Sequence, residues 1–165
     1  MIKARIPENF SWYLSGFVDG EGSFNVSLRQ KSDYKVGWQP VLSFNVSQKE
    51  KTILVLMQKC FQGGIIKRRK DGLYSYDVTN PKIIQETVIP FFEKFKFFSE
   101  NKKKNFIIFK QIAKLMFKKK HLTTTGFKQL LNLREKLNQG KGRTRKYTLK
   151  NVLKSSETIR QSTFS

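Results

Sequence analysis

The stretch that decides the fold of this 165-residue chain is Leu14–Phe24, which reads LSGFVDGEGSF. Up to Val18, apolar residues recur at helical spacing. From Phe24 onward, apolar side chains alternate with polar ones, as in a strand that is buried on one face. We therefore predict a helix that stops at residues 19–22, with two glycines as its C-terminal cap, followed by a strand.

The remaining residues alternate between the same two periods. We predict a second strand around residues 42–46 and a helix over 53–61. A strand around Ile66 and a strand over 74–78 follow, with a turn between them at Asp71-Gly72. One helix starts at Asn80-Pro81, and three later helices run over 105–117, 126–137 and 148–159. The order αββαββα predicts an α+β fold, a curved antiparallel four-stranded sheet with helices on the other face and additional C-terminal helices. We expect one domain, residues 1–165, in which a basic helical part (101–165) follows the sheet-bearing part (1–100).

Charge restricts the class of partner. Lysine and arginine number 33 against 12 acidic residues, which gives a net charge of +21. Residues 101–165 hold 18 of those basic residues and only two acids, Glu135 and Glu157. Nucleic acid is the partner that such a charge favours. The lack of a long apolar run excludes a membrane span, and a single cysteine, Cys60, excludes a disulfide framework.

The outward face of the predicted sheet is rich in amides, hydroxyls and basic groups. These groups read base edges in the major groove of DNA, which admits a two-stranded ribbon. An ordinary solvated face is the alternative for any single residue. The candidate reading residues are Asn25, Ser27, Arg29, Lys31, Gln39, Val41, Ser43, Asn45, Lys67, Arg69, Ser75 and Asp77, and we expect Lys141, Arg143 and Lys146 to contact phosphates.

The end of the first helix carries the unusual chemistry. Asp19 and Glu21 lie where the helix dipole is negative, which is unfavourable unless a cation binds there. In a basic chain, two carboxylates suggest Mg²⁺, although ordinary turn residues would look the same. Gly16 and Gly20, four residues apart on one helical face, would admit a second helix, or would serve core packing alone.

Residues 14–22 resemble the LAGLIDADG motif of homing endonucleases, and Ser23-Phe24 continues the usual pattern. The order of elements, Gln48 at the end of the second strand and the tail over residues 137–146 resemble the single-motif, homodimeric branch of that family. The resemblance covers nearly the whole chain.

The resemblance implies roles for individual residues. Two copies would pair through their motif helices at Leu14, Gly16, Phe17 and Gly20. The metal would bind Glu21 and Gly20, and Asp19 would orient the turn. Gln48 would position water or metal, and a lysine of the run 102–104, best matched by Lys102, would polarise the active-site solvent.

The expected function is that of a Mg²⁺-dependent, sequence-specific double-strand DNA endonuclease acting on a long palindromic or pseudo-palindromic site. Ca²⁺ is expected to bind without supporting cleavage. The abundance of Lys, Phe, Ile and Asn, which have A/T-rich codons, favours an intron gene in a chloroplast or mitochondrion. Two alternatives remain: an intron RNA-splicing maturase on the same fold, and a basic RNA-binding protein.

Overall fold

The computed structural model describes residues 6–139 and 145–155. In chain order the elements are α1 (Glu8–Glu21), β1 (Gly22–Gln30), β2 (Trp38–Gln48), α2 (Thr52–Phe61), β3 (Ile65–Arg68), β4 (Tyr74–Val78), α3 (Pro81–Ile83), a π-helical turn (Ile84–Val88), α4 (Ile89–Lys94), α5 (Glu100–Phe117), a 3₁₀ turn (Lys120–Leu122) and α6 (Thr124–Lys136). Residues 149–155 are also helical. The part of the predicted 148–159 helix beyond residue 155 lies outside the described residues.

The four strands form one sheet in the order β1-β2-β4-β3. β4 pairs antiparallel with both β2 and β3, so that Asn45 lies opposite Asp77. The β3–β4 hairpin turns at Gly72, whose φ of +85° suits a glycine. The predicted α+β fold, its antiparallel sheet and the turn at Asp71-Gly72 are therefore confirmed.

The chain divides into two compact units. Unit 1 comprises residues up to 24 and residues 43–104. Its core is aromatic: the ring centroids of Phe24 and Phe44 lie 5.3 Å apart, and those of Phe44 and Phe61 lie 5.7 Å apart. Leu14 and Val18 of α1 are completely buried in the chain. This core fixes the end of α1, from which the candidate site projects.

Unit 2 comprises residues 25–42 together with those after 104. Its core is a cluster of Leu28, Val36, Trp38, Phe127, Leu131 and Val152. The Trp38 ring lies 4.7 Å from that of Tyr147, and its indole nitrogen donates to the Ser155 hydroxyl at 2.9 Å. The segment after residue 144 is thus anchored to the end of β1 and the start of β2.

The observed helix ends differ from the predicted ones by up to five residues, and at two of them the structure shows a clear physical cause. Gly22 is the C-cap of α1, as predicted, and its amide donates to the Val18 carbonyl, but its φ is −82° and the chain passes directly into β1 instead of through a left-handed turn. Space is what requires glycine there: a Cβ would lie 2.4 Å from Cγ1 of Val18. α5 begins five residues before the predicted Asn105, because the Lys103 amide already donates to the Ser99 carbonyl at 3.0 Å.

The Asn80-Pro81 helix start is confirmed. The Asn80 side chain accepts hydrogen bonds from the amides of Lys82 and Ile83, at 2.9 and 3.4 Å, as an N-cap does. Within the described ranges, no helix is long and apolar enough to span a bilayer.

Candidate active site

Asp19 joins the end of α1 to the start of α5. Its Oδ2 accepts hydrogen bonds from the backbone amides of Phe98 and Ser99, both at 2.9 Å, and its Oδ1 accepts one from the Ser99 hydroxyl. Burial alone would raise the pKa of Asp19, but these hydrogen bonds and the nearby Lys102 lower it below its ordinary value. Asp19 therefore orients a segment 80 residues away rather than its own turn.

Lys102 lies in the first turn of α5 and is the lysine of the 102–104 run that faces α1. Its ammonium donates a hydrogen bond to the Gly22 carbonyl. Burial lowers the pKa of Lys102, while the carboxylates of Asp19 and Glu21 act in the opposite direction. Lys103 instead pairs with Glu100 at 2.8 Å. Lys102 therefore differs from Lys103 in that its ammonium group contacts the residue just after α1.

Glu21 is the last residue of α1 and its side chain is exposed. Among the residues that the structure describes, none donates a hydrogen bond to its carboxylate, whereas both oxygens of Asp19 are occupied. Gly20 beside it is also exposed.

The donor set fits Mg²⁺ better than a cation that needs a protein cage. The described ranges contain no cluster of three His, Cys, Asp or Glu side chains that could enclose a metal. Mg²⁺ commonly takes one or two carboxylates and fills its remaining positions with water and substrate phosphates. One exposed carboxylate, Glu21, meets that requirement.

Gln48 lies at the end of β2, opposite Tyr74, and is half-buried. It lines a groove of about 410 Å³ with Tyr13, Lys49, Glu50, Thr52, Ile53 and Leu56. No hydrogen bond joins Gln48 to Glu21 or Lys102 within the described part of the chain. Its role in positioning water or metal stays a prediction.

The motif helix shows an open face. A Cβ on Gly16 or Gly20 would meet nothing within 4 Å, and Tyr13 is 55 % exposed. Phe17 is half-buried on the same helix. Leu14 is a correction: it is completely buried beneath its own chain and cannot contact a second copy.

The strands of unit 1 carry part of the predicted reading face. Ser43 and Asn45 are half-buried, and Lys67 and Arg69 are exposed. Arg69 lies just beyond β3, where it binds Ser47 and Asp71.

Two residues of this face bind each other. The Lys67 ammonium lies 2.9 Å from the Asp77 carboxylate, which also accepts the Ser75 hydroxyl at 2.8 Å. Ser75 is another correction, since it is only 5 % exposed and not available at the surface.

Unit 2 carries the remaining reading residues. Ser27, Arg29 and Lys31 are exposed, and Asn25, Gln39 and Val41 are half-buried. Asn25 and Ser27 line a cavity of about 290 Å³ that Asn138, Arg145 and Lys146 also border. Lys141 and Arg143 lie outside the described residues.

Arg134, which was not among the residues predicted from the sequence, connects α6 to β1 and to the segment after residue 144. Its guanidinium is buried and donates to the Val26 carbonyl at 2.9 Å and the Tyr147 carbonyl at 3.0 Å. It occupies the apolar stripe of α6 that contains Phe127, Leu130 and Leu131. An arginine at a position where helical spacing calls for an apolar residue is the signal that could have revealed it.

Comparison with known proteins places these features in one family. The family described as LAGLIDADG endonuclease matches residues 14–113. The chain is 33 % identical over 145 residues to the probable intron-encoded endonuclease 2 of Neurospora crassa, a match covering 86 % of this chain and 32 % of that protein. It is 30 % identical over 119 residues to the DNA endonuclease I-CeuI of Chlamydomonas moewusii, covering 68 % and 55 % of the two chains.

The chain is also similar to a solved structure of a homing endonuclease. The archaeal intron-encoded homing endonuclease I-Vdi141I, in complex with DNA, superposes with a TM-score of 0.84 at 30 % identity, over 94 % of this chain and 99 % of that one. The chain spans about a third of the length of the Neurospora relative. The match over residues 14–113, which contains the second half of α1, the whole sheet and Lys102, shows that the chain belongs to the LAGLIDADG endonuclease family.

Proposed function

We propose that this chain is a sequence-specific double-strand DNA endonuclease that hydrolyses phosphodiester bonds with a divalent metal. The observation that carries the proposal is the pairing of an exposed carboxylate with a half-buried ammonium group at one helix end. Glu21 projects from the end of α1, and Lys102 is held against the Gly22 carbonyl next to it. The related endonuclease of known structure is an intron-encoded DNA-binding protein, which supports the same class of substrate.

In this proposal Glu21 holds Mg²⁺, together with the Gly20 carbonyl. When bound, the metal supplies an activated water and relief of negative charge at the leaving oxygen. Lys102 contributes a fixed positive charge near the scissile phosphate, in surroundings where partial burial strengthens its electrostatic effect. Gln48 orients solvent from the end of β2.

DNA recognition is assigned to the accessible polar side chains of the strands. In unit 2 these are Ser27, Arg29 and Asn25, and in unit 1 Asn45 and Lys67 are the principal ones. Phosphate contacts fall to the basic residues of the C-terminal part, of which Lys146 is exposed in the described range.

Two copies of the chain are needed for the reaction. One motif supplies one Glu21, and cutting both strands requires one such site at each scissile bond. A symmetric pair of chains reads a palindromic or pseudo-palindromic site. We place the gene in an intron of an organelle genome, which agrees with the intron-encoded origin of the Neurospora relative and with the A/T-rich codon usage.

The substitution Glu21→Gln tests the proposal. Glutamine keeps the shape of the side chain but removes its charge, so cleavage should vanish while specific DNA binding survives. The measurement compares gel shift and cleavage on the same target, selected from a random DNA library in the presence of Mg²⁺. Glu86→Gln is the matched control, because Glu86 is an exposed glutamate on the π-helical turn of the same unit.

Replacing Mg²⁺ by Ca²⁺ should give bound but uncut DNA. Full cutting by the Glu21→Gln variant would end the assignment of the metal to this residue. Failure of the wild-type protein to cut any DNA, combined with tight binding of structured intron RNA, would replace the nuclease by a splicing maturase.

A further inference from the structure

We propose that Asp19 is a positioning residue that acts through Lys102: by holding the start of α5, it fixes the ammonium group beside Glu21. This inference rests on the proposed nuclease function and adds a residue that touches neither metal nor DNA in it. The inference is argued from the contacts of Asp19 between the end of α1 and the start of α5, both of which belong to unit 1.

Two groups of contacts connect the same two elements. Asp19 accepts the amides of Phe98 and Ser99 at 2.9 Å, and the Ser99 hydroxyl as well. Lys102 returns from the first turn of α5 to the Gly22 carbonyl, just beyond α1. The start of α5 is therefore attached to α1 at Asp19 and at Gly22.

The spacing makes Asp19 act on the lysine. Ser99 and Lys102 are three residues apart, and residues with that spacing share one side of a helix. A carboxylate can accept from two backbone amides and a hydroxyl at once because it offers two oxygens with several lone pairs. If Asp19 releases Ser99, the first turn of α5 loses its anchor and the ammonium group loses its fixed place.

Asn is the substitution that tests this. Asp19→Asn keeps the size of the side chain but replaces one accepting oxygen by an NH₂ donor, which would face a backbone or hydroxyl donor. Misplacement of a reacting group by about 1 Å costs on the order of a hundredfold in rate. We expect the single-turnover cleavage rate at saturating protein to fall about tenfold or more, while DNA affinity changes by less than about twofold.

A double-mutant cycle with Lys102→Met separates positioning from general support of the fold. If Asp19 acts through Lys102, adding Asp19→Asn to Lys102→Met should slow cleavage by less than about twofold further. Asn80→Ala is the control: it removes another cap in unit 1, and it should leave the cleavage rate unchanged. Additive effects of Asp19→Asn and Lys102→Met would overturn the proposal.

Amine labelling gives a readout that does not depend on activity. In the wild-type protein, acetylation by a water-soluble ester should modify exposed Lys104 faster than half-buried, hydrogen-bonded Lys102. Asp19→Asn should bring the rate at Lys102 close to that at Lys104. Ser99→Ala, which removes only the hydroxyl contact, should shift it less and serves if Asp19→Asn fails to fold.

Continued protection of Lys102 in folded Asp19→Asn protein would overturn the proposal. A wild-type protein that cuts no DNA but shows the expected labelling would instead refute the nuclease function while leaving the positioning contact in place.

Discussion

Gly22 and Gly16 serve different purposes although both belong to the same motif. A Cβ on Gly22 would lie 2.4 Å from Cγ1 and 2.9 Å from the carbonyl oxygen of Val18, and Val18 is itself completely buried. A Cβ on Gly16 would enter open space on the surface of α1. Gly22 is therefore required by the fold of a single chain, and Gly16 is not.

This difference predicts opposite signs for the same substitution. Gly22→Ala should lower the free energy of unfolding by about 1–3 kcal/mol, because the buried Val18 must move to admit the methyl group. In the single chain, at concentrations where no dimer forms, Gly16→Ala should raise it by about 0.5–1 kcal/mol, because alanine loses less backbone entropy in a helix. Urea unfolding of both variants checks the pair, and equal effects would contradict the spatial argument.

Among the elements, α6 supports strand β1 in unit 2 through Arg134. The guanidinium satisfies the carbonyls of Val26 in β1 and Tyr147 in the segment after residue 144. Glu135 next to it pairs with Arg145 at 3.1 Å. The helix, the strand and the C-terminal segment are thus connected through the guanidinium of Arg134.

Arg134→Met should therefore be costly even though methionine is apolar and similar in length. It leaves two carbonyls without their donor, and we expect the free energy of unfolding to fall by about 2–4 kcal/mol. Lys128→Met is the matched control on the exposed side of α6, where a change within about 0.5 kcal/mol is expected. Thermal unfolding measures both, and a near-neutral Arg134→Met would show that water replaces the lost donors.

At the scale of the whole molecule, the open face of α1 predicts self-association. Gly16→Leu or Gly20→Leu would place a large side chain where two motif helices must approach closely, so the dimer and double-strand cutting should both be lost. Sedimentation velocity measures the assembly. Gln111→Leu adds the same side chain at an exposed position of α5 and should leave the dimer intact. A wild-type monomer that still makes double-strand cuts would contradict the requirement for two copies.

The sequence predicted correctly those elements whose ends are determined by residues close together in the chain. The Asn80-Pro81 start was readable because the cap and the residues it binds are two and three positions apart. The start of α5 was not readable from apolar spacing, because its first turn, Glu100–Lys103, contains no apolar residue. What holds that start, Asp19, is 80 residues distant in the chain.

The candidate site shows the same division. The motif placed Glu21 at the end of α1, but which of three consecutive lysines faces it depends on the rotation of α5 about its axis. The interpretation of Leu14 as an interface residue was wrong because α1 has apolar residues on two sides. The side that carries Leu14 and Val18 faces the core, and periodicity alone cannot distinguish the two sides.

The pair formed by Lys67 and Asp77 affects how the target preference of such a protein can be changed. Asp77 holds the lysine at 2.9 Å and also accepts the hydroxyl of Ser75, so three side chains on neighbouring strands share one charge balance. If this face binds DNA as proposed, replacing Lys67 alone would leave the Asp77 carboxylate without its counter-ion and repelled by the negative charge of the DNA. To change the specificity at this place, Lys67, Ser75 and Asp77 should therefore be replaced together, whereas Asn45 can be varied singly. Libraries built to retarget the protein should couple these positions instead of sampling them independently.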